Sequence, residues 1–236
     1  MSQPPVPSHY FVGLDLGQAA DYTAIVVAER IGTPPHRPSG GSRFYDGGQL
    51  IRGVVPQAPR KAAEPFVYHL RHLERPRLGT PYPAIVERVK AILDEPTLKG
   101  RVQLVVDATG VGKPVVDLLR AAKLGPVAVT ITGGDNVSFE AGGYRVPKRD
   151  LVGALQVLLQ TERFKVAEGL TEAAVLVQEL LNFKAKISLT TGHDSYEAWR
   201  TGTHDDLVLA AALACWWGER WAPPKEPVGS QSWYSW

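Results

Sequence analysis

Residues 10–15 read Tyr-Phe-Val-Gly-Leu-Asp, and residues 102–107 read Val-Gln-Leu-Val-Val-Asp. Each is a short apolar run that closes on an aspartate. Runs of this length are the pattern of strands buried within a sheet. A carboxylate at the end of such a strand sits at the carboxyl edge, where open α/β sheets gather their ligands. The rest of the chain decides whether the two strands are neighbours. Downstream of Asp15, Gly17 to Asp21 form a turn and Thr23 to Ala28 (TAIVVA) form a second, β-branched strand, the spacing of a hairpin. Residues 31–64 are rich in Gly, Pro and Arg and read as a long excursion, with a short strand near Leu50 to Val55. Phe66 to Leu73 is a third strand, with Tyr68 and Leu70 on one face and His69 and Arg71 on the other.

From there the pattern alternates. Pro81 to Leu93 is an amphipathic helix, with Ile85, Val89 and Ile92 inward, Glu87, Arg88 and Lys90 outward, and Pro83 in its first turn. The strand ending at Asp107 follows, then a helix over Pro114 to Ala122 and a strand over Val127 to Ile131. Helices are expected at Asp150 to Gln160 and at Thr171 to Phe183, the latter capped by Thr171. Ile187 to Thr190 and Tyr196 to Trp199 read as a hairpin across Gly192-His193-Asp194. Leu207 to Trp217 (LVLAAALACWW) is apolar on every side, so it is a buried helix that takes Cys215, Trp216 and Trp217 into the core. The order is α/β. Three hairpin-linked strands are antiparallel, and two βα units add parallel strands by right-handed crossovers. The expected fold is a mixed five-stranded sheet with helices on both faces. Its first strand is central, with the Asp107 strand as parallel neighbour. Residues 1–222 form one domain and residues 223–236, with three prolines, form a loose tail.

Composition narrows the class. The chain has 236 residues, of which 44% are hydrophobic and 21% charged, so it can bury a full core and is not globally disordered. No run of about 18 apolar residues is present to cross a membrane. The start, MSQPPVPSHY, lacks the basic and apolar regions of a secretory signal. A single cysteine excludes an internal disulfide and a multi-cysteine metal site. A cytoplasmic protein is expected. The net charge of +2 hides an asymmetry: residues 30–77 carry +6 and the remainder −4. A basic segment on an acidic body suits a polyanion, although an Arg-rich solvated loop has the same composition.

If the strands are neighbours, Asp15 and Asp107 lie at one edge of the sheet. His204-Asp205-Asp206 immediately precedes the buried helix, whose N-terminus brings a third carboxylate to that edge. Singly, each acid has an ordinary use: Asp15 or Asp107 can shape a turn, and Asp205 or Asp206 can sit at a helix start. Jointly, three or four carboxylates repel one another unless a divalent cation lies between them. An all-oxygen donor set selects Mg²⁺ or Mn²⁺ over zinc. Two such ions about 4 Å apart activate water and stabilise the leaving oxygen in phosphodiester cleavage.

The stretches GLDLGQAADYTAIVV (13–27), LVVDATGVGKPVVDLL (104–119) and THDDLVLAAALA (203–214) resemble the nuclease domain of phage terminase large subunits, within the ribonuclease H-like superfamily. YHLRHLERPRLGTPYPAIVERV (68–89) and YRVPKRDLVGALQVLL (144–159) fit the same pattern, so the resemblance spans about residues 10–217. It implies a ribonuclease H-like fold and a metal-dependent DNA endonuclease that cuts double-stranded DNA during viral packaging with two Mg²⁺ or Mn²⁺ ions. It maps the first acid to Asp15, the second to Asp107 and the third to Asp205 or Asp206. His204 either orients water or a carboxylate there, or is a surface histidine. The family's ATPase motor has no counterpart in this sequence. Residues 107–114 (DATGVGKP) mimic a phosphate loop, but Asp107 replaces its first glycine and Pro114 its hydroxyl residue; Lys113 either meets a phosphate at a helix N-terminus or, the preferred reading, is simply exposed. The implied partners are a separate packaging ATPase, a small terminase subunit or a portal.

Phosphate contacts suit a nuclease without sequence preference. Arg71, Arg75 and Arg77, then Lys148, Arg149 and Arg200, are the candidate DNA-binding residues, each with solvation as its ordinary alternative. Tyr196 and Trp199 can stack on bases or pack on their own sheet. GLDLGQAADYT also resembles the phosphate loop of actin-like and sugar-kinase ATPases, but those use two such domains. A Holliday-junction resolvase and a non-catalytic DNA-binding or packaging-partner module complete the alternatives.

Overall fold

The structure, a computed structural model, describes residues 8–17, 21–32, 44–46, 49–51, 65–110, 112–189 and 205–222. In chain order its elements are β1 (His9–Asp15), β2 (Ala24–Ile31), β3 (Phe44–Asp46), β4 (Gln49–Ile51), β5 (Val67–Glu74), α1 (Tyr82–Leu93), β6 (Val102–Asp107), α2 (Gly112–Ala121), β7 (Val127–Thr132), β8 (Ser138–Glu140), β9 (Gly143–Pro147), α3 (Lys148–Gln160), β10 (Phe164–Val166), α4 (Ala173–Leu189) and α5 (Asp206–Arg220). One mixed sheet has the order β10-β5-β2-β1-β6-β7-β9-β8, and β3 and β4 form a separate pair. The central five strands are those expected: β5, β2 and β1 antiparallel, then β6 and β7 parallel to β1.

Strand alternation divides the core in two. In β1, Val12 and Leu14 join the side covered by Ile85 and Val89 of α1 and Val115 and Leu119 of α2. Phe11 joins the opposite side, with Leu151, Leu155 and Leu158 of α3, Leu176 of α4 and nearly all of α5. In β6, Leu104 and Val106 go with the first side and Val105 with the second. Between β2 and β5 the register slips at Val27/Ala28, where Val27 faces His72 and Ala28 faces Leu70, so Arg71 is the extra residue of a bulge. The bulge turns both Leu70 and Leu73 inward.

The sheet has eight strands rather than five. Three short strands carry too few residues to show a period of two. β10 is a three-residue edge, parallel to β5. β8 and β9 form a hairpin whose two-residue turn places Ala141 and Gly142 at φ +50° and +78°. That turn favours Asn-Gly or Asp-Gly, so an alanine in its first position conceals it. The hairpin expected at Ile187 to Thr190 is also corrected, because residues 187–189 belong to α4. The strong helix formers Lys184, Ala185 and Lys186 carry the helical ladder through them. The partner stretch at Tyr196 to Trp199 and the tail from 223 lie outside the described residues, as does most of 31–64. Helix α4 starts at Ala173, and α3 starts at Lys148, two residues earlier than expected.

Candidate functional site

Helix α5 approaches the sheet unusually closely. A Cβ at Gly13 would lie 1.8 Å from the Ala210 carbonyl oxygen and 3.2 Å from the Ala214 nitrogen, so only glycine fits there. The contact also fixes what lies beside it. Asp206 is one helical turn before Ala210, about 5.4 Å along the axis. Asp15 is two strand residues beyond Gly13, about 6.6 Å along the same face. The helix runs antiparallel to β1, since Trp221 after its last turn packs on His9 and Phe11 at the start of the strand. One turn back along α5 therefore meets two residues forward along β1, and Asp206 stands at Asp15.

Asp107 reaches the same place through register. Leu14 pairs with Val106 in the parallel β1–β6 ladder, so Asp15 and Asp107 are the next residues of adjacent strands. Both follow the parity of the α5-facing side. Asp107 Oδ1 accepts the Thr109 backbone N–H at 2.8 Å, and the Thr109 hydroxyl oxygen accepts the Ile131 N–H at 2.8 Å. The turn role of Asp107 is thus real and orients the carboxylate. Asp15, Asp107 and Asp206 are all buried, while Asp205 is half-buried. Burial pushes the Asp15 carboxyl well above the usual carboxylate range, with Asp107, Asp206 and Asp205 adding repulsion in that order. Lys148, the first residue of α3, acts in the opposite sense.

The first turn of α5 is capped from another helix. Asp205 holds the N-cap position but makes no side-chain capping bond. Glu179 Oε2 of α4 instead accepts the Val208 backbone N–H at 3.1 Å. Glu179 is buried, and its carboxyl is pushed up to about 7, chiefly by burial and also by Asp206, against the N–H groups of Val208 and Leu207 and the Arg75 guanidinium. Nothing in the motif reading pointed to Glu179. No clear signal marks it: Glu179 lies three residues after buried Leu176, but exposed Val177 and Leu181 share the helix and blur its inward stripe.

The basic residues divide. Arg71 pairs with Glu29 at 2.7 Å, and Arg149 with Asp135 at 2.7 Å and Asp150 at 3.9 Å. Arg75 is 19% exposed, pairs with Glu172 at 3.0 Å and approaches Glu179 at 3.9 Å. Arg77 is exposed and lines a cavity of about 170 Å³ with Gly17, Asp21, Thr23, Thr80 and Tyr82, beside the carboxyl end of β1. Lys113 is exposed, as expected. His204 and Arg200 lie outside the described residues.

Among the described residues, the candidate donors at the centre are carboxylate oxygens, a set that suits a hard divalent cation. Among the described residues, no three His, Cys, Asp or Glu side chains stand in a ligating group as they are. The carboxylates are electrostatically joined without converging on one point. Among the described residues, too, no helix is long and apolar enough to cross a membrane.

No protein-family model and no curated protein matches the chain. The solved structures similar to it include two terminase nucleases. The large terminase nuclease from thermophilic phage G20c has 18% sequence identity and a TM-score of 0.49, over 88% of this chain and 81% of that one. The human cytomegalovirus terminase nuclease domain, soaked with Mn, has 13% identity and a TM-score of 0.45, over 87% and 82%.

Proposed function

We propose that the chain is a divalent-metal-dependent DNA endonuclease of the terminase large-subunit type, cutting double-stranded DNA during viral genome packaging. The observation that carries this reading is the electrostatic clustering of Asp15, Asp107 and Asp206, with Asp205 at the margin, where two parallel strands end and a buried helix begins. Repulsion at that point costs stability in the protein alone and is relieved by a bound cation. Two Mg²⁺ or Mn²⁺ ions held there would supply the Lewis acidity that activates water and stabilises the leaving oxygen.

The chain's own residues do the rest. Asp15, Asp107 and Asp206 would hold the ions from β1, β6 and α5, and Asp205 would complete the set from the half-exposed side. Thr109 keeps the Asp107 carboxylate in one orientation. Burial of the three central acids limits water at the centre. Lys148 tempers the negative charge that a phosphodiester must approach. Arg77 offers the DNA backbone an exposed cation beside the site, while Arg71, Arg75 and Arg149 already face acidic partners. His204 and Arg200 remain proposed contributors, for carboxylate orientation and DNA contact. The motor, small subunit and portal are the proposed packaging partners.

The direct test is cleavage of supercoiled plasmid with Mg²⁺, Mn²⁺ or EDTA. Wild type should nick and linearise DNA with either metal. Asp107→Asn, which keeps an acceptor for Thr109, should lose about a hundredfold or more in rate while remaining folded. Equal cleavage by the variant would remove Asp107 from the site. DNA binding in EDTA checks the phosphate path separately: Arg77→Ala should reduce the slope of log affinity against log salt by about one. An unchanged slope would place the DNA elsewhere.

A further inference from the structure

The first N–H groups of any helix have no acceptor within it, and the N-cap side chain usually supplies one. In α5 that side chain is Asp205, and it makes no capping bond. The acceptor comes from Glu179, a buried carboxylate on α4, which takes the Val208 N–H at 3.1 Å. Val208 is two residues from Asp206 on the same turn. Behind Glu179 stands Arg75, just beyond the end of β5, with Nη1 3.9 Å from Glu179 Oε1 and Nε 3.0 Å from Glu172 Oε2. The Arg75 guanidinium also lies over the Tyr22 ring, 4.8 Å from its centroid, ahead of β2. A line of charged and hydrogen-bonded groups therefore runs from the β5–β2 half of the sheet through Arg75 and Glu179 to the turn that carries Asp206, its Arg75–Glu179 link an ion pair without a hydrogen bond among the described residues.

A neutral Asn or Ser at the N-cap would satisfy the same N–H without burying a second carboxylate beside Asp206. Burying an ionisable group costs several kcal/mol in general. The arrangement gains something that a local cap does not. It holds the first turn of α5 from outside and leaves capping to a residue other than Asp205.

We infer that Glu179, steered by Arg75, is a positioning residue that sets Asp206 against Asp15 and Asp107 for cation binding. The inference rests on the metal-centre reading above. It is distinct from a purely stabilising cap, which would hold the helix without affecting metal affinity.

The test is calorimetric titration of Mn²⁺ into the metal-stripped full chain without DNA, with thermal unfolding in EDTA run beside it. Glu179→Gln and Glu179→Met both remove the charge and keep the size, but only Gln retains an acceptor for Val208. Glu179→Gln should bind Mn²⁺ within about threefold of wild type, and Glu179→Met about tenfold or more weaker, the range seen when groups behind metal ligands are removed. Wild-type affinity in Glu179→Met, whatever its melting temperature, would overturn the inference. If Glu179→Met does not fold, Arg75→Met is read in its place: weaker Mn²⁺ binding supports the tie and unchanged binding overturns it. Asp206→Asn is the reference, and uptake should be lost there. Failure of wild type itself to bind Mn²⁺ would sink the metal-centre reading, and the inference with it.

Discussion

The two ends of α5 meet the same sheet under opposite electrostatic conditions. At the C-terminal end, buried Arg30 donates to the Gly218 and Trp221 carbonyl oxygens. Its guanidinium lies over Phe66 at 4.0 Å, and over Phe11 and Trp221 at 5.1 Å. A cation there matches the negative end of the helix. At the N-terminal end, carboxylates likewise match the positive end in sign but exceed it in number. Asp15, Asp107, Asp205, Asp206 and Glu179 crowd about one helix terminus, countered by Lys148 and Arg75. One end is balanced by the chain's own groups. The other gathers more carboxyls than nearby cations, which raises the Asp15 and Glu179 carboxyls. On the proposed reading, that imbalance is what an external cation would relieve.

Both ends depend on a missing side chain, and this gives the larger way to break the comparison. Near the N-terminal half the strand gives way, at Gly13. Near the C-terminus the helix gives way, since a Cβ at Gly218 would lie 2.6 Å from the Tyr68 ring. Gly13→Ala forces a methyl against backbone rather than against a movable side chain. It should destabilise the chain by about 3 kcal/mol, the upper range of ordinary overpacking. Urea unfolding measures it. Because Asp206 is one turn from the contact, Mn²⁺ binding should weaken in the same variant. If Gly13→Ala unfolds at the wild-type midpoint, close approach of α5 is not what sets the carboxylates together.

The same contrast explains what could be read from the residues. The central strands and α5 announce themselves, because buried runs such as TAIVVA and LVLAAALACWW permit few alternatives. The placement of Asp15 and Asp107 at strand ends was legible because each ends such a run. Which of Asp205 and Asp206 is buried was not legible, because it depends on how the helix seats on the sheet. The structure buries Asp206 and leaves Asp205 at the cap. The sequence shows the charge of Arg75 but not its neighbours Glu172 and Glu179. Glu179 itself was hidden for the converse reason. Its helix carries exposed Val177 and Leu181 as well as buried Leu176, so the apolar stripe does not mark which side faces the core.

The smaller expected effect sharpens the comparison without removing any packing. Burial and three neighbouring carboxylates raise the Asp15 carboxyl in the folded chain. The unfolded chain releases that proton near pH 4. Between that pH and the raised folded value, the folded state binds more protons than the unfolded state, so stability falls as pH rises and levels off above the window. Glu179, pushed up to about 7, contributes in the same direction. Glu29 and Glu74 are held low by the hydrogen bonds that outweigh their burial, so they act in the opposite direction at acid pH. Comparing wild type with Asp15→Asn cancels these common contributions. In EDTA the variant should gain stability relative to wild type as pH rises from 4 to 8, measured by urea unfolding. Saturating Mn²⁺ should then stabilise wild type and leave the variant nearly unchanged, because the substitution removes a proposed ligand and with it the binding that would stabilise the folded state. A difference that stays flat with pH would mean that the carboxylates at the N-terminal end of α5 are not coupled through Asp15. The electrostatic contrast between the two ends of the helix would then lose its basis.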